Sequence, residues 1–400
     1  MPLTPRIAFI SALGFGGATT FLCNLAGELA RRQIPVIVLS PEKENHFASD
    51  FQKAGVPVVV QNQQQMIFED RMAAMLHALA NFSPTVVIGC LGPDSYEVLR
   101  YVPRQVYRMA VVQADHQIFY DAISPYANCM DACVGISVKI AERLAAMDAF
   151  KNTAKLCLLH GVSMPPAAEP QGITSAPLHI IYLGRIMNPQ KRVHLFPKIF
   201  ADLRDSGIPF EWTIAGEGDQ RVQLEQAMLS NNLEQKIIFK GSIPNSKVPQ
   251  LLEQQDVFLL ASDAEGLPIS LLEAMGHGLV PVISDLESGI RDVVDATNGM
   301  LVPVNQTAGY AQAIIHLHHY REELAAKSAA ARARVERDFS VAAMTDRWLA
   351  AFPAPPTAPP VWPQRWKISA PLGARNPFYF SPPVRALRRL AVRMRGDHPR

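Results

Sequence analysis

The sequence predicts an α/β protein of two Rossmann-like halves, each built on a parallel sheet, with the strand C-termini of both sheets facing a central cleft. Three observations carry this. The chain opens with a strand, a glycine loop, a helix and a second strand between Arg6 and Leu39. A stretch rich in proline and small residues interrupts the pattern at 166–177. Beyond it, the alternation of apolar strands and amphipathic helices restarts over a similar length.

Element by element, Arg6–Ser11 is a short apolar run ending at Gly14-Phe-Gly-Gly17, followed by a helical pattern from Thr20 to Arg32 and a strand at Val36–Leu39. Further strands are expected at Val56–Val60, Thr85–Ile88, Val106–Val112, Ala132–Val134 and Lys155–Leu159, with helices near Met66–Ala80 and Val138–Ala149. After the linker, strands are expected at Leu178–Leu183, Phe210–Ala215, Lys236–Phe239, Val257–Leu260 and Val280–Ser284. Helices fit His194–Ser206, Gln220–Asn231, Val248–Gln255 and Ile269–Gly276. The resulting division is an N-terminal domain at 1–165, the linker at 166–177 and a C-terminal domain at 178–338. A helix at 339–352 is expected to return toward the N-terminal domain. Residues 353–400 form a Pro-rich spacer and a tail whose segment 383–395 is apolar at Val384, Leu387, Leu390 and Ala391 and basic elsewhere.

Composition removes several classes of function. A length of 400 residues, 48% of them hydrophobic, supports two cores, and a formal charge of +2 is too small for a general nucleic-acid binder. The five cysteines (Cys23, Cys90, Cys129, Cys133 and Cys157) are scattered and read as buried free thiols of a reducing compartment rather than zinc ligands. Met1-Pro-Leu-Thr-Pro-Arg leads straight into a strand, not into a signal peptide, and no run of about eighteen apolar residues appears. A cytoplasmic protein is expected.

Chemistry concentrates in Glu265-Gly266-Leu267-Pro268-Ile269-Ser270-Leu271-Leu272-Glu273. Two carboxylates stand eight residues apart, the first on a turn and the second inside a helix whose first position suits Pro268. Free amides at that helix start bind anions, and carboxylates accept hydrogen bonds from vicinal hydroxyls. Phosphate and diols together describe a sugar nucleotide. Gly184 and Arg185, at the end of strand Leu178–Leu183, with Lys191 and Arg192 just beyond, supply cations where charge grows on a departing diphosphate. Gly216-Glu-Gly218-Asp219 is either a strand-to-helix turn capped by Asp219 or a backbone lining against which a nucleotide base packs. Gly14-Phe-Gly16-Gly17 lacks the third glycine spacing and the terminal acid of a dinucleotide fingerprint; it suits a tight loop with amides toward the cleft. Asp115-His116 follows Val106–Val112, where His116 can exchange a hydrogen bond with a sugar hydroxyl or be a surface histidine beside a capping aspartate. The histidines at 316, 318 and 319 read as a solvated face, and no Asp-x-Asp is present.

In these motifs the chain resembles the GT-B glycosyltransferases, and among them the large retaining group called family 4. The resemblance rests on Gly184-Arg185 with Lys191, Gly216-Glu-Gly-Asp219, Glu265 and Glu273, Ala274-Met-Gly-His-Gly-Leu-Val-Pro-Val-Ile-Ser284, and Asn298-Gly-Met-Leu-Val-Pro303. It extends over about residues 5 to 350, and Leu159-His-Gly-Val162 looks like the entry to the interdomain linker. The resemblance implies a nucleoside diphosphate sugar as donor, held by the C-terminal half without an obligatory metal or cofactor. It implies a glycan or lipid-linked acceptor on the N-terminal half, and retention of anomeric configuration. Arg185 and Lys191 would hold the diphosphate, Glu273 the ribose and Glu265 the transferred sugar. His116 matches the family's cleft histidine by its place after a strand. Three residues depart from the pattern: His160 for asparagine, Asn188-Pro-Gln for an acidic approach to Lys191, and His277 for a cysteine or small residue. The basic tail at 383–395 is expected to touch anionic membrane at its cytoplasmic face, or to dock or stay disordered. An epimerase acting on the sugar nucleotide, or a non-catalytic binder of it, is the alternative.

Overall fold

The computed structural model describes residues 4–14, 16–41, 48–60, 66–166, 177–188, 190–230, 236–372 and 380–396. The linker expected at 166–177 and Phe15 of the first glycine loop therefore lie almost wholly outside the described residues. By compactness the chain divides into a first unit, Met1–Leu159 with Met344–Arg400, and a second, His160–Ala343.

The first unit holds a seven-stranded parallel sheet of β1 (Ile7–Ser11), β2 (Val36–Ser40), β3 (Val58–Val60), β4 (Val86–Leu91), β5 (Tyr107–Val112), β6 (Ala132–Gly135) and β7 (Ala154–Cys157), in the order β3-β2-β1-β4-β5-β6-β7. The central strands are continuous apolar runs because both faces are covered: every residue of β1 and β2 is buried. Register is parallel throughout, with Ile7 beside both Val36 and Val86. Helix Gly17–Arg31 buries Phe21, Leu22 and Leu25 on one face. The helix Val341–Ala351 completes that core, its Trp348 ring lying 5.9 Å from Phe21.

The second unit repeats the plan with β8 (Leu178–Leu183), β9 (Phe210–Ala215), β10 (Ile237–Gly241), β11 (Val257–Leu260), β12 (Val280–Ser284) and β13 (Met300–Val302), in the order β10-β9-β8-β11-β12-β13. Its core stacks Trp212 on Phe200 with ring centroids 5.8 Å apart, and Phe196 fills the space between Tyr182 and Trp212. In each sheet the strand order reverses once, between β1 and β4 and between β8 and β11. A reversal leaves a crevice beyond the strand C-termini, where neighbouring loops run to opposite faces and ligands of open α/β sheets bind.

Four local expectations are corrected. Pro268 is the residue before helix Ile269–Gly276, in extended geometry (φ −64, ψ 123), not its first helical residue. Asp219 caps nothing: helix Arg221–Ser230 starts two residues later, and the Asp219 side chain has no partner among the described residues. The strand β13, three residues long, was not foreseen. Pro353–Pro356 does not stand off as a spacer but lines, with Thr85 and Tyr107, a cavity of about 100 Å³ at the start of β4 and β5.

Candidate active site

The second unit's crevice is built from the loops that follow β8 and β11. The β8 loop leaves the sheet at Gly184, whose N–H donates to Ala215 O at 3.0 Å, and is laced to the loop after β9 by Ile186 N–H to Glu217 O at 2.8 Å. That contact explains both glycines of Gly216-Glu-Gly218. A Cβ on Gly216, which has φ 141, would sit 1.8 Å from Gly184 O; one on Gly218 would sit 2.0 Å from Ile186 O. Their smallness serves the approach of two protein loops, which fixes where Arg185 begins. A Cβ on Gly184 would meet the Tyr182 hydroxyl at 3.2 Å. That hydroxyl donates to Arg185 O at 2.5 Å, and burial, with Glu265 adding to it, raises its pKa.

Lys191 and Glu265, 74 residues apart, form an ion pair at 2.6 Å with both side chains almost out of solvent. The resemblance places Arg185 and Lys191 on the diphosphate and Glu265 on the transferred sugar; to these expectations the structure adds that Lys191 and Glu265 are bonded to each other. Two desolvated charges on adjoining loops each need a partner, and each is the other's. Gln190 clips the same loops together, accepting from Asp263 N–H at 2.9 Å and donating to Ala264 O at 3.1 Å. Arg192, in a left-handed conformation (φ 49), turns to Asp263 at 3.1 Å and to Val304 O at 2.8 Å. Arg185 alone of these cations is exposed and without an acidic partner among the described residues.

Helix Ile269–Gly276 starts at the same place. Leu267 is buried beneath the turn, and Gly266 O packs so closely on Gly289 that a Cβ there would lie 2.6 Å away. The amides of Leu271 and Leu272 fold back onto Pro268 O. Those of Ile269 and Ser270 find no acceptor among the described residues, leaving the helix head open to an anion. Glu273, one turn further, is half-buried, and its carboxylate has no hydrogen-bond partner among the described residues. Burial pushes its pKa up to about 7. Ser262, fully buried just past β11, also keeps an unpartnered Oγ. Sequence reasoning missed Ser262, because a lone serine after a strand carries no signal.

Arg185, Lys191, Glu265, Gly266, Leu267, Pro268 and Glu273, with Gly184, Gly216 and Gly218, thus belong to one switch point. Gly16, Gly17 and His116 belong to the first unit. Gly16 has φ 142, a conformation that favours glycine, and Gly17 opens helix Gly17–Arg31. His116 itself caps helix Gln117–Ile123, its Nδ1 accepting from Ile118 N–H at 3.3 Å, and its ring is otherwise exposed. Asp115, expected as the cap, instead accepts from Tyr120 and Arg143, both at 2.9 Å, with Lys139 at 3.4 Å. Burial raises its pKa, but the hydrogen bonds outweigh it and hold the carboxyl below its ordinary range. Nearby, Gln113 keeps both amide atoms buried and unpartnered. His160 is also buried, which drives its pKa down to about 3. Among the described residues no group of three or more His, Cys, Asp or Glu could hold a metal, and no helix is long and apolar enough to cross a membrane.

Two parallel-sheet α/β units, each with a ligand-type crevice at its switch point, define the GT-B fold. Residues 166–334 match the family model of glycosyl transferases group 1. The chain is 34% identical over 180 residues to a putative colanic acid biosynthesis glycosyltransferase of Escherichia coli (strain K12), covering 43% of this chain and 44% of that protein. It is 32% identical over 171 residues to an amylovoran biosynthesis glycosyltransferase of Erwinia amylovora, covering 41% and 42%. The chain therefore spans less than half the length of these relatives. Solved structures share the fold more widely. Anabaena HepE in complex with UDP-glucose superposes with a TM-score of 0.72 at 17% identity, over 87% of this chain and 100% of that one. S. aureus TarM in complex with UDP does so with 0.72 at 13%, over 86% and 99%.

Proposed function

We propose that the protein is a glycosyltransferase that moves a sugar from a nucleoside diphosphate sugar to an acceptor hydroxyl on a glycan, lipid or lipid-linked carrier. One observation carries this reading. The second unit's switch point holds Arg185 and Glu273, neither with a side-chain partner among the described residues, the buried Lys191–Glu265 pair, and a helix head two of whose amides find no acceptor among the described residues. The donor's parts map onto these groups. Arg185 and the amides take the diphosphate, and Lys191, oriented by Glu265, adds charge where the leaving group gathers it. The free oxygen of Glu265 accepts from the transferred sugar. Glu273 accepts the ribose diol, and it does so best as a carboxylate, so donor affinity rises with pH through about 7.

In this reading no residue acts as a covalent nucleophile. The configuration is retained by attack on the donor's front face, with the diphosphate helping to take the acceptor's proton, and no metal is required. The acceptor rests on the first unit near His116 and the Gly16–Gly17 turn. Relatives named for colanic acid and amylovoran biosynthesis support a role in polysaccharide or glycolipid assembly. In this reading the protein is cytoplasmic and touches the inner membrane face through 383–395. UDP in the ligand sets of structural neighbours makes UDP-sugars the first donors to try.

A thermal-shift panel of UDP-, GDP- and ADP-sugars tests the donor assignment, since a ligand bound only by the native state raises its melting point. No shift with any of them would sink it. Sugar epimerised without an acceptor would point to an epimerase, and a shift without turnover to a binding protein. Activity that vanishes in EDTA would overturn metal independence.

A further inference from the structure

Lys191 and Arg192 are aimed by acids, Glu265 at 2.6 Å and Asp263 at 3.1 Å. Arg185 has no acidic partner among the described residues, so its place is set by its backbone. That backbone is held from two sides. The peptide group joining Arg185 to Ile186 gives its N–H to Glu217 O at 2.8 Å, and its C=O accepts from the Tyr182 hydroxyl at 2.5 Å. A trans peptide group is planar, with its N–H and C=O on opposite edges, so the two bonds together fix its orientation and the Cα of Arg185 at its end. One residue earlier, Gly184 N–H is bonded to Ala215 O at 3.0 Å. Of these three bonds, only the one from Tyr182 comes from a side chain.

Tyr182 is wholly buried, and its ring meets Phe196 edge-on at 5.0 Å, which leaves the hydroxyl little freedom to quit the carbonyl. Gly184 makes room for it: a Cβ there would lie 3.2 Å from the hydroxyl oxygen. Burial first, and then the negative charge of Glu265, keep the phenol protonated and therefore a donor. A phenylalanine would pack against Phe196 equally well. The hydroxyl adds a bond to one place, the residue that carries the uncommitted cation.

We propose that Tyr182 is a positioning residue, its hydroxyl acting through the Arg185 carbonyl to hold the Arg185 guanidinium against the donor's diphosphate. This rests on the donor reading above and deepens it. Without the bond, the Arg185–Ile186 peptide turns about its flanking dihedrals, and a cation with no acid to direct it loses its aim.

The test is a double-mutant cycle of Tyr182→Phe and Arg185→Ala, read as the dissociation constant of whichever of UDP, GDP and ADP the wild type binds most tightly. Tyr182→Phe should weaken that diphosphate about tenfold in the wild-type background and cost nothing further in the Arg185→Ala background, because residues that act through one another are not additive. A merely structural role would cost the same in both. Equal losses in the two backgrounds, or no loss in the first, would overturn the proposal and leave the donor reading standing. A wild type that binds none of the three diphosphates would overturn the donor reading, and this proposal with it.

Discussion

The two switch points share an architecture and differ in what their loops have done with charge. In the second unit, Gln190, Lys191 and the two glycines lock three loops together while Arg185, Glu273 and two helix amides find no partner among the described residues. In the first unit, the loop after β5, next to the switch strands, has its acid satisfied: Asp115 is held by Tyr120, Arg143 and Lys139, and His116 spends one ring nitrogen on a cap. What stays open there among the described residues is the Gln113 amide and the outer edge of the His116 ring. Unpaired charge suits a phosphate-bearing donor, and neutral donors and acceptors suit hydroxyls.

That contrast can be broken, most strongly at the cations. Arg185→Ala should slow transfer by about two to three orders of magnitude, by analogy with lost oxyanion donors, while the melting temperature stays put because the side chain touches no acid. Lys191→Ala should lower both, since it strands Glu265 in a desolvated site at a cost of about 3–5 kcal/mol. Equal melting temperatures for the two variants would erase the distinction between an open and a committed cation. Next in size, Gly216→Ala should destabilise the second unit by about 1–3 kcal/mol through its backbone conformation alone, with the clash against Gly184 O adding to it. Denaturant unfolding checks this, and a neutral result would mean the loops are not in contact.

Smaller and more discriminating is Glu273→Gln. Its carboxyl has a raised pKa in the folded state, so its contribution to stability is full below the ordinary carboxyl range and is lost as pH rises through about 7. The amide escapes that loss, so the variant should melt higher than the wild type at pH 8 and equally at pH 4, while binding donor about tenfold more weakly by calorimetry. Unchanged donor affinity would remove Glu273 from the site. The least effect is expected in the first unit. Asp115, with a lowered pKa, contributes stability present above the ordinary carboxyl range and lost as pH falls through its depressed value. Asp115→Asn should cost about 1 kcal/mol at pH 7 and leave donor affinity unchanged; a weakened donor affinity would show that the first unit's network serves the donor after all.

Most of the sheet strands were legible because buried parallel strands are unbroken runs of β-branched and aliphatic residues, as in Ile7–Ser11 and Val257–Leu260. Strand Met300–Val302 was not, since three residues carry no period. The donor crevice was legible as a set of residue types but not as a set of contacts. Nothing in the spacing of Lys191 and Glu265 announces that they pair, because the partner is chosen by the fold and not by the neighbourhood in sequence. Asp115 and His116 exchanged roles for a related reason: an aspartate caps helices well, but Arg143, 28 residues on, offered it a stronger bond. The sequence left open whether the tail docks, because its partners lie more than 300 residues away: Glu69 and Asp70 draw the arginines in, and Leu387 and Leu390 are left outside.

The first unit is stitched from both sides of the second in sequence, and Trp348, wholly buried against Phe21, is its rivet. A ribosome making this chain in order therefore releases the intervening lobe, complete, while the earlier one still lacks a piece of its interior. The lobe begun first is the one finished last. Until the closing stretch emerges, the bare flank around Phe21 is a surface for chaperones to guard.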